Sequence, residues 1–243
     1  MKKKKLIITE KPSVAIDFVK ALGKFQKKDG YFENDEYIIS WAVGHLVELF
    51  SPPDYDEKYK KWDLKILPVI PDKFQYKIID KTRKQFEVLK KLINRRDVEF
   101  IINAGDAGRE GELIQRLIYR LANNKKPVKR FWTSLALTPE VIRQGLKNLR
   151  DSKEFDNLFY SGQTRQIMDW LIGMNGTMSV TSKIGKELFS VGRVQTAVLY
   201  LLYKRYMEIK NFTPEKYFQL YLILEKVLMV QKFPSKRPLK FPT

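Results

Sequence analysis

The chain has 243 residues, with 46 Lys+Arg against 28 Asp+Glu and a formal net charge of +18 at pH 7. Its 44% hydrophobic and 13% aromatic content supports a real core and excludes a disordered basic tail. No run reaches the ~18 apolar residues needed to cross a bilayer. Zero cysteines exclude disulfides, thiol nucleophiles and thiolate zinc sites, and the single histidine excludes a histidine-rich metal cage.

At roughly 100–200 residues per domain, this length predicts one large domain or one and a half. The basic start, MKKKKLIITEKPS, is not read as a secretion signal. Its apolar stretch, Leu6 to Ile8, is far shorter than the ~7–15 residues such a signal requires. A cysteine-free chain fits a reducing cytoplasm. A positive surplus this large repels itself and points to a polyanionic partner, nucleic acid first. A lysine-rich proteome or ribosome association would give the same charge.

Lys5–Thr9 is a short apolar run of the kind a buried parallel strand shows. Ser13 is placed to cap a helix through Val14, Ile16, Phe18, Val19 and Leu22, stopping near Gly23. Tyr37–Val43 reads as a second strand closed by Gly44-His45, and the Pro-rich, acidic stretch Phe50–Tyr59 as a surface loop. Apolar spacing at Phe86, Val88, Leu89 and Leu92 predicts an amphipathic helix over Lys81–Asn94. Val98–Ile102 is a third strand, leading through Asn103-Ala104-Gly105-Asp106 into a helix from Glu110. Lys129–Trp132 reads as a fourth strand and Pro139–Leu149 as a helix. Alternating strands and helices predict an α/β fold, with a mostly parallel sheet and flanking helices over residues 1–150. From Asp151 the pattern becomes helical, so the domain boundary is placed there.

In open α/β sheets, functional groups gather beyond the carboxyl ends of the strands. Glu10 and Asp106 both stand at such ends. If their strands are neighbours, the two carboxylates converge, and a divalent cation relieves the repulsion. Oxygen ligands without thiolate or imidazole favour Mg²⁺. The same acids would equally suit solvated turns or helix caps. Gly105-Asp106-Ala107-Gly108-Arg109-Glu110-Gly111-Glu112 packs three glycines and three acids into one strand-to-helix turn. It lacks the Gly-Lys-Ser/Thr of a phosphate-cradling loop and the spacing of a dinucleotide fingerprint. Glu110 and Glu112 also complement a helix dipole, a purely structural use.

Thr9-Glu10-Lys11-Pro12-Ser13, Gly105–Glu112 and Ser190-Val191-Gly192-Arg193-Val194-Gln195-Thr196 together resemble a type IA DNA topoisomerase, closest to the topoisomerase III branch. The resemblance covers about residues 3–225 and includes Lys60–Pro68, Thr133–Ile142 and Arg165–Asn175. It implies a Toprim-type Mg²⁺-binding domain over 1–150, a partial helical DNA-binding domain over 151–226 and an atypical tail over 227–243. Glu10, Asp106 and Glu110 match the family's metal-binding acids, and Glu10, Lys11 and Glu110 its catalytic groups near the scissile phosphate. Gly108 stands where the family has the middle acid of Asp-x-Asp-x-Glu, one carboxylate fewer. Trp62, Arg165, Asp169, Ser190, Val191, Gly192, Arg193, Val194 and Gln195 are matched to contacts with single-stranded DNA. Read without the family, Trp62 belongs in a core, Lys11 on the surface, and Arg165 with Asp169 in an ordinary ion pair. Met178 stands where the family has an arginine, so one phosphate contact is expected to be missing, and His45 is assigned no chemistry.

The family cleaves one strand of single-stranded or negatively supercoiled DNA with a tyrosine, passes a strand and rejoins without ATP. That tyrosine lies in a Tyr-Pro-Arg-Thr-like context, which these 243 residues do not contain. The expectation is therefore a product cut short before the tyrosine, cytoplasmic and at the nucleoid if bacterial, binding DNA and Mg²⁺ without cleaving alone. Two other readings stay open: a Toprim primase or nuclease, and a non-catalytic single-stranded DNA-binding remnant.

Overall fold

A computed structural model describes residues 3–185, 187–216 and 218. They form two units: Met1–Arg193, and the stretch that starts at Val194. The expected tail over 227–243 lies outside the described residues.

The first unit is built on a seven-stranded sheet. Its strands are β1 (Lys4–Thr9), β2 (Gln26–Lys28), β3 (Tyr31–Glu33), β4 (Tyr37–Trp41), β7 (Val98–Ala104), β8 (Val128–Arg130) and β9 (Arg150–Asp151). Their spatial order is β2-β3-β4-β1-β7-β8-β9. The four central strands β4, β1, β7 and β8 run parallel, and β2, β3 and β9 add antiparallel edges. A separate antiparallel pair joins β5 (Val47–Leu49) to β6 (Tyr76–Ile78).

The central strands read as unbroken apolar runs because helices cover both faces. Alternate residues divide between two cores. Leu6, Ile8, Ile38 and Ile101 face α3 (Arg83–Ile93) and α4 (Arg109–Leu121), packing on Phe86, Leu89, Leu113 and Leu117. Ile7, Ile39 and Ile102 face α1 (Pro12–Leu22) and α5 (Pro139–Lys147), packing on Ala15, Phe18 and Ile142. Ser13 does not cap α1. Pro12 occupies the first turn, where its missing N–H costs nothing, and Lys11 becomes the capping position without a side-chain bond. Gly23 ends the helix at φ 107°, a backbone conformation that favours glycine. The stretch read as a loop after Phe50 contains a short helix, α2 (Pro52–Tyr55), followed by 3-10 turns at Glu57–Lys60 and Leu64–Ile66.

A third apolar cluster seats the long helix α6 (Asp156–Ile184) through Trp170 and Met178 against Leu49 and Val69. Trp170 Nε1 donates to the Phe50 carbonyl at 2.8 Å. Asn175 accepts from the Val69 N–H at 2.6 Å and donates to the Val69 carbonyl at 3.0 Å. Met178 is 1% exposed in this cluster, so its position faces apolar neighbours. Gly162 lets α6 lie close to α4: a Cβ there would come within 2.9 Å of the Arg109 carbonyl oxygen.

In the second unit, α7 (Gln195–Lys210) carries exposed Leu199, Leu201, Leu202 and Tyr203. No helix among the described residues is long and apolar enough to cross a membrane.

Candidate functional site

β1 pairs with β7 in parallel, with Thr9 opposite Ala104. The residues that leave these two strands therefore emerge side by side. Glu10, half-buried, accepts the backbone N–H of Asp106 on Oε2 at 3.1 Å. Lys11 Nζ lies 3.0 Å from Asp106 Oδ2, with both side chains about half exposed. The hydrogen bond to Asp106, then the charges of Asp106 and Glu10, hold the Lys11 ammonium above its ordinary pKa.

Glu110, on the first turn of α4, points elsewhere. Its carboxylate lies 3.8 Å from Arg165 Nη1 and 3.7 Å from His45 Nε2. His45, to which sequence reasoning assigned nothing, thus enters the site; its signal was the Gly44-His45 turn directly after a strand-like run. Gly44 has φ 78°. His45, Glu110, Arg165, Gln166 and Asp169 line a cleft of about 390 Å³. Gln166 Oε1 is buried there with no hydrogen-bond partner among the described residues.

Arg165 and Asp169 share one face of α6, as their spacing of four requires, with Nε 3.6 Å from Oδ2. Asp169 also takes Arg193 Nε at 2.7 Å on its other oxygen. The Arg193 hydrogen bond leads the effects that hold the Asp169 carboxyl below its ordinary range, and Asp169 raises Arg193 in return. Arg193 is brought here because the segment before it folds back along α6. Phe189 N–H donates to Thr181 Oγ1 at 3.0 Å, and Val191 N–H to Thr177 Oγ1 at 2.9 Å. Gly176 makes room for Val191, whose Cγ1 would lie 2.7 Å from a Cβ there. One carboxylate thus gathers two guanidiniums, each with donors to spare.

Ser190, Val191, Gly192 and Arg193 lie in the first unit, whereas Val194 and Gln195 belong to the second. Trp62 is 40% exposed between the two 3-10 turns, outside every apolar core cluster. Of the three expected metal-binding acids, Glu10 and Asp106 are brought together, and Glu110 is engaged by Arg165 and His45. Among the described residues no group of three or more such side chains is close enough to hold a metal ion. Glu10 and Asp106 alone still fit Mg²⁺. They are hard oxygen donors at adjoining strand ends, and this ion commonly takes one or two carboxylates and fills its shell with water and phosphate. A Cβ at Gly108 meets nothing within 4 Å, and its φ of 173° is ordinary extended backbone. The missing middle acid is therefore a difference of side chain alone.

Most of the sequence matches known protein families. The Toprim domain model matches residues 5–134, and a model described as DNA topoisomerase matches residues 153–239. The chain belongs to the Toprim family, its match covering more than half of the sequence. More particularly, it is similar to the N-terminal part of DNA topoisomerase 3 proteins. DNA topoisomerase 3 of Staphylococcus saprophyticus is 47% identical over 219 residues, covering 90% of this chain and 30% of that protein. DNA topoisomerase 3 of Staphylococcus aureus is 46% identical over 222 residues, covering 91% and 31%. Full-length topoisomerase I from Thermotoga maritima superimposes with a TM-score of 0.59 at 29% identity, covering 87% of this chain and 32% of that one. The chain thus spans under a third of the length of these proteins.

Proposed function

We propose that residues 1–150 form the Mg²⁺-binding domain, and those from 151 part of the DNA groove, of a type IA topoisomerase that cuts and rejoins one DNA strand. The observation that carries this reading is the meeting of Glu10, Lys11 and Asp106 across the β1–β7 pair. The Arg165–Asp169–Arg193 chain, reached through Glu110, supports a nucleic-acid role. Mg²⁺, when bound, would neutralise charge on the scissile phosphate and polarise it. Glu10 and Asp106 hold the ion; Lys11 places a point charge beside the phosphate, where charge develops in phosphoryl transfer.

Arg165 and Arg193 direct their remaining donors to backbone phosphates of single-stranded DNA, with Asp169 fixing their orientation. The backbone around Gly192 allows close approach of the strand, and Trp62 offers a face for base stacking. The attacking tyrosine is not among the residues assigned, so strand cleavage is proposed for a longer chain carrying it, acting in the cytoplasm. Negatively supercoiled DNA, which exposes single strands, is its substrate. Mg²⁺-dependent nicking by residues 1–243 alone would instead favour a Toprim nuclease.

Two measurements test the proposal. Single-stranded DNA affinity, read by fluorescence anisotropy, falls on a log–log plot against salt with a slope of about −0.7 per phosphate neutralised. A salt-independent affinity would remove the groove reading. In a Mg²⁺ titration followed by amide NMR, Glu10→Ala and Asp106→Ala each weaken binding while circular dichroism stays unchanged. Gly108→Asp, which supplies the missing middle acid, tightens it. Unaltered titrations in the two alanine variants would refute the ligand assignment.

A further inference from the structure

We propose that Arg130 is a positioning residue that holds the Asp106 turn in its ligand-presenting shape, an inference that rests on the Mg²⁺ reading of Glu10 and Asp106. Arg130 ends β8 and is fully buried. Its Nη1 donates to the carbonyls of Asn103 at 3.1 Å, Gly105 at 2.8 Å and Phe131 at 2.8 Å. Its Nη2 donates to the carbonyl of Asp106 itself at 2.8 Å. The Phe131 N–H still reaches the Asn103 carbonyl at 3.0 Å; beyond that bond, where the chain leaves β7, the guanidinium partners the Gly105 and Asp106 carbonyls. Buried carbonyls without partners are costly, so these contacts hold the turn to one conformation.

In that conformation the Gly105–Asp106 peptide, whose carbonyl takes Arg130 Nη1, presents its N–H to Glu10 Oε2. Arg130 therefore acts on the Glu10–Asp106 pair through the backbone and touches neither carboxylate. Its charge is balanced by Glu112, whose Oε1 lies 2.6 Å from Nε, and the Trp132 ring covers it at 4.9 Å. That balance matters, because an uncompensated cation beside the turn would repel a metal ion. Only a planar fork reaches several carbonyls spread around it; a lysine ammonium of equal charge lacks that geometry.

The experiment uses the full chain with R130K, with F86L as a variant that loosens the core on the α3 side without touching the turn. Both are studied by amide NMR at a temperature where circular dichroism shows them folded. With R130K, exchange of the Asp106 amide speeds up and the Mg²⁺ midpoint rises about tenfold, as for other residues that orient ligands from behind. F86L moves neither. The proposal is overturned if R130K retains wild-type exchange at Asp106 and the wild-type Mg²⁺ midpoint, or if F86L shifts both equally. Should R130K not fold, R130Q/E112Q, which leaves no lone buried charge at the pair, is read by the same criteria. A wild-type protein that gives no Mg²⁺ response at Glu10 and Asp106 would remove the metal reading, and exchange of the Asp106 amide would then decide Arg130's role by itself.

Discussion

Replacing Glu112 by alanine lowers stability by about 3–5 kcal/mol, the loss typical when one partner of a buried ion pair is removed. Glu112 is fully buried on α4. Its Oε1 pairs with the Arg130 guanidinium, 2.6 Å from Nε, and accepts from Asn103 Nδ2 at 3.0 Å, while its Oε2 accepts from Arg116 Nε at 2.9 Å. Arg116 continues to Asp156 and the Ser152 carbonyl, which lead into α6. One carboxylate therefore joins β7, β8, α4 and the start of α6. Alanine leaves the buried Arg130 without a counter-charge, and burial already pulls that guanidinium below its ordinary pKa. At roughly 2–4 °C per kcal/mol for a chain of this size, the midpoint of thermal unfolding drops by about 6–20 °C. Glu112→Gln keeps the acceptor and loses less. A change of under about 2 °C in Glu112→Ala would mean that the network contributes little.

Glu112 also marks what could be read in the sequence and what could not. Its place in the first turn of a helix gave it an obvious use, complementing the dipole, and nothing local distinguishes an acid at a helix surface from one aimed into the sheet. Its partner Arg130 lies 18 positions away on another strand, and such pairings are written in the topology. The parallel core was legible because unbroken apolar runs such as Leu6–Ile8 and Ile101–Ile102 arise where both faces are covered. The convergence of Glu10 and Asp106 depended on β1 and β7 being neighbours, which the sequence reading could pose only as a condition. The β2–β3 hairpin was missed although Asp29-Gly30 sits at its turn, with Gly30 at φ 82°. Its strands are three residues long, too short for alternation to stand out, and β2 (Gln26–Lys28) is wholly polar. For the segment proposed to bind DNA, motif matching named the residues, but not that Val191 and Phe189 are held to threonines of α6. Likewise, the resemblance was read as ending near Lys226, whereas the DNA topoisomerase model matches through residue 239.

Gly111→Ala should damage the proposed metal site far more than it damages the fold. Gly111 lies in the first turn of α4, where a Cβ would stand 2.1 Å from the Asp106 carbonyl oxygen and 2.8 Å from its nitrogen. These are backbone atoms, so no side-chain rotation relieves the overlap; the helix or the turn must move. Overpacking of this kind costs about 1–3 kcal/mol. The turn is the weaker partner, because α4 is held along its length by Leu113, Leu117 and Ile118 in the core. Displacing it breaks both backbone contacts of Asp106: its carbonyl held by Arg130 and its N–H held by Glu10. Carboxylate ligands must be held within roughly 0.5 Å of their working positions, so a shift that only modestly lowers the melting temperature weakens Mg²⁺ binding severely. The check is a thermal melt beside a Mg²⁺ titration on the same sample. A normal titration in a destabilised Gly111→Ala protein would show that α4 yields instead, and that the glycine in Arg109-Glu110-Gly111-Glu112 serves packing alone.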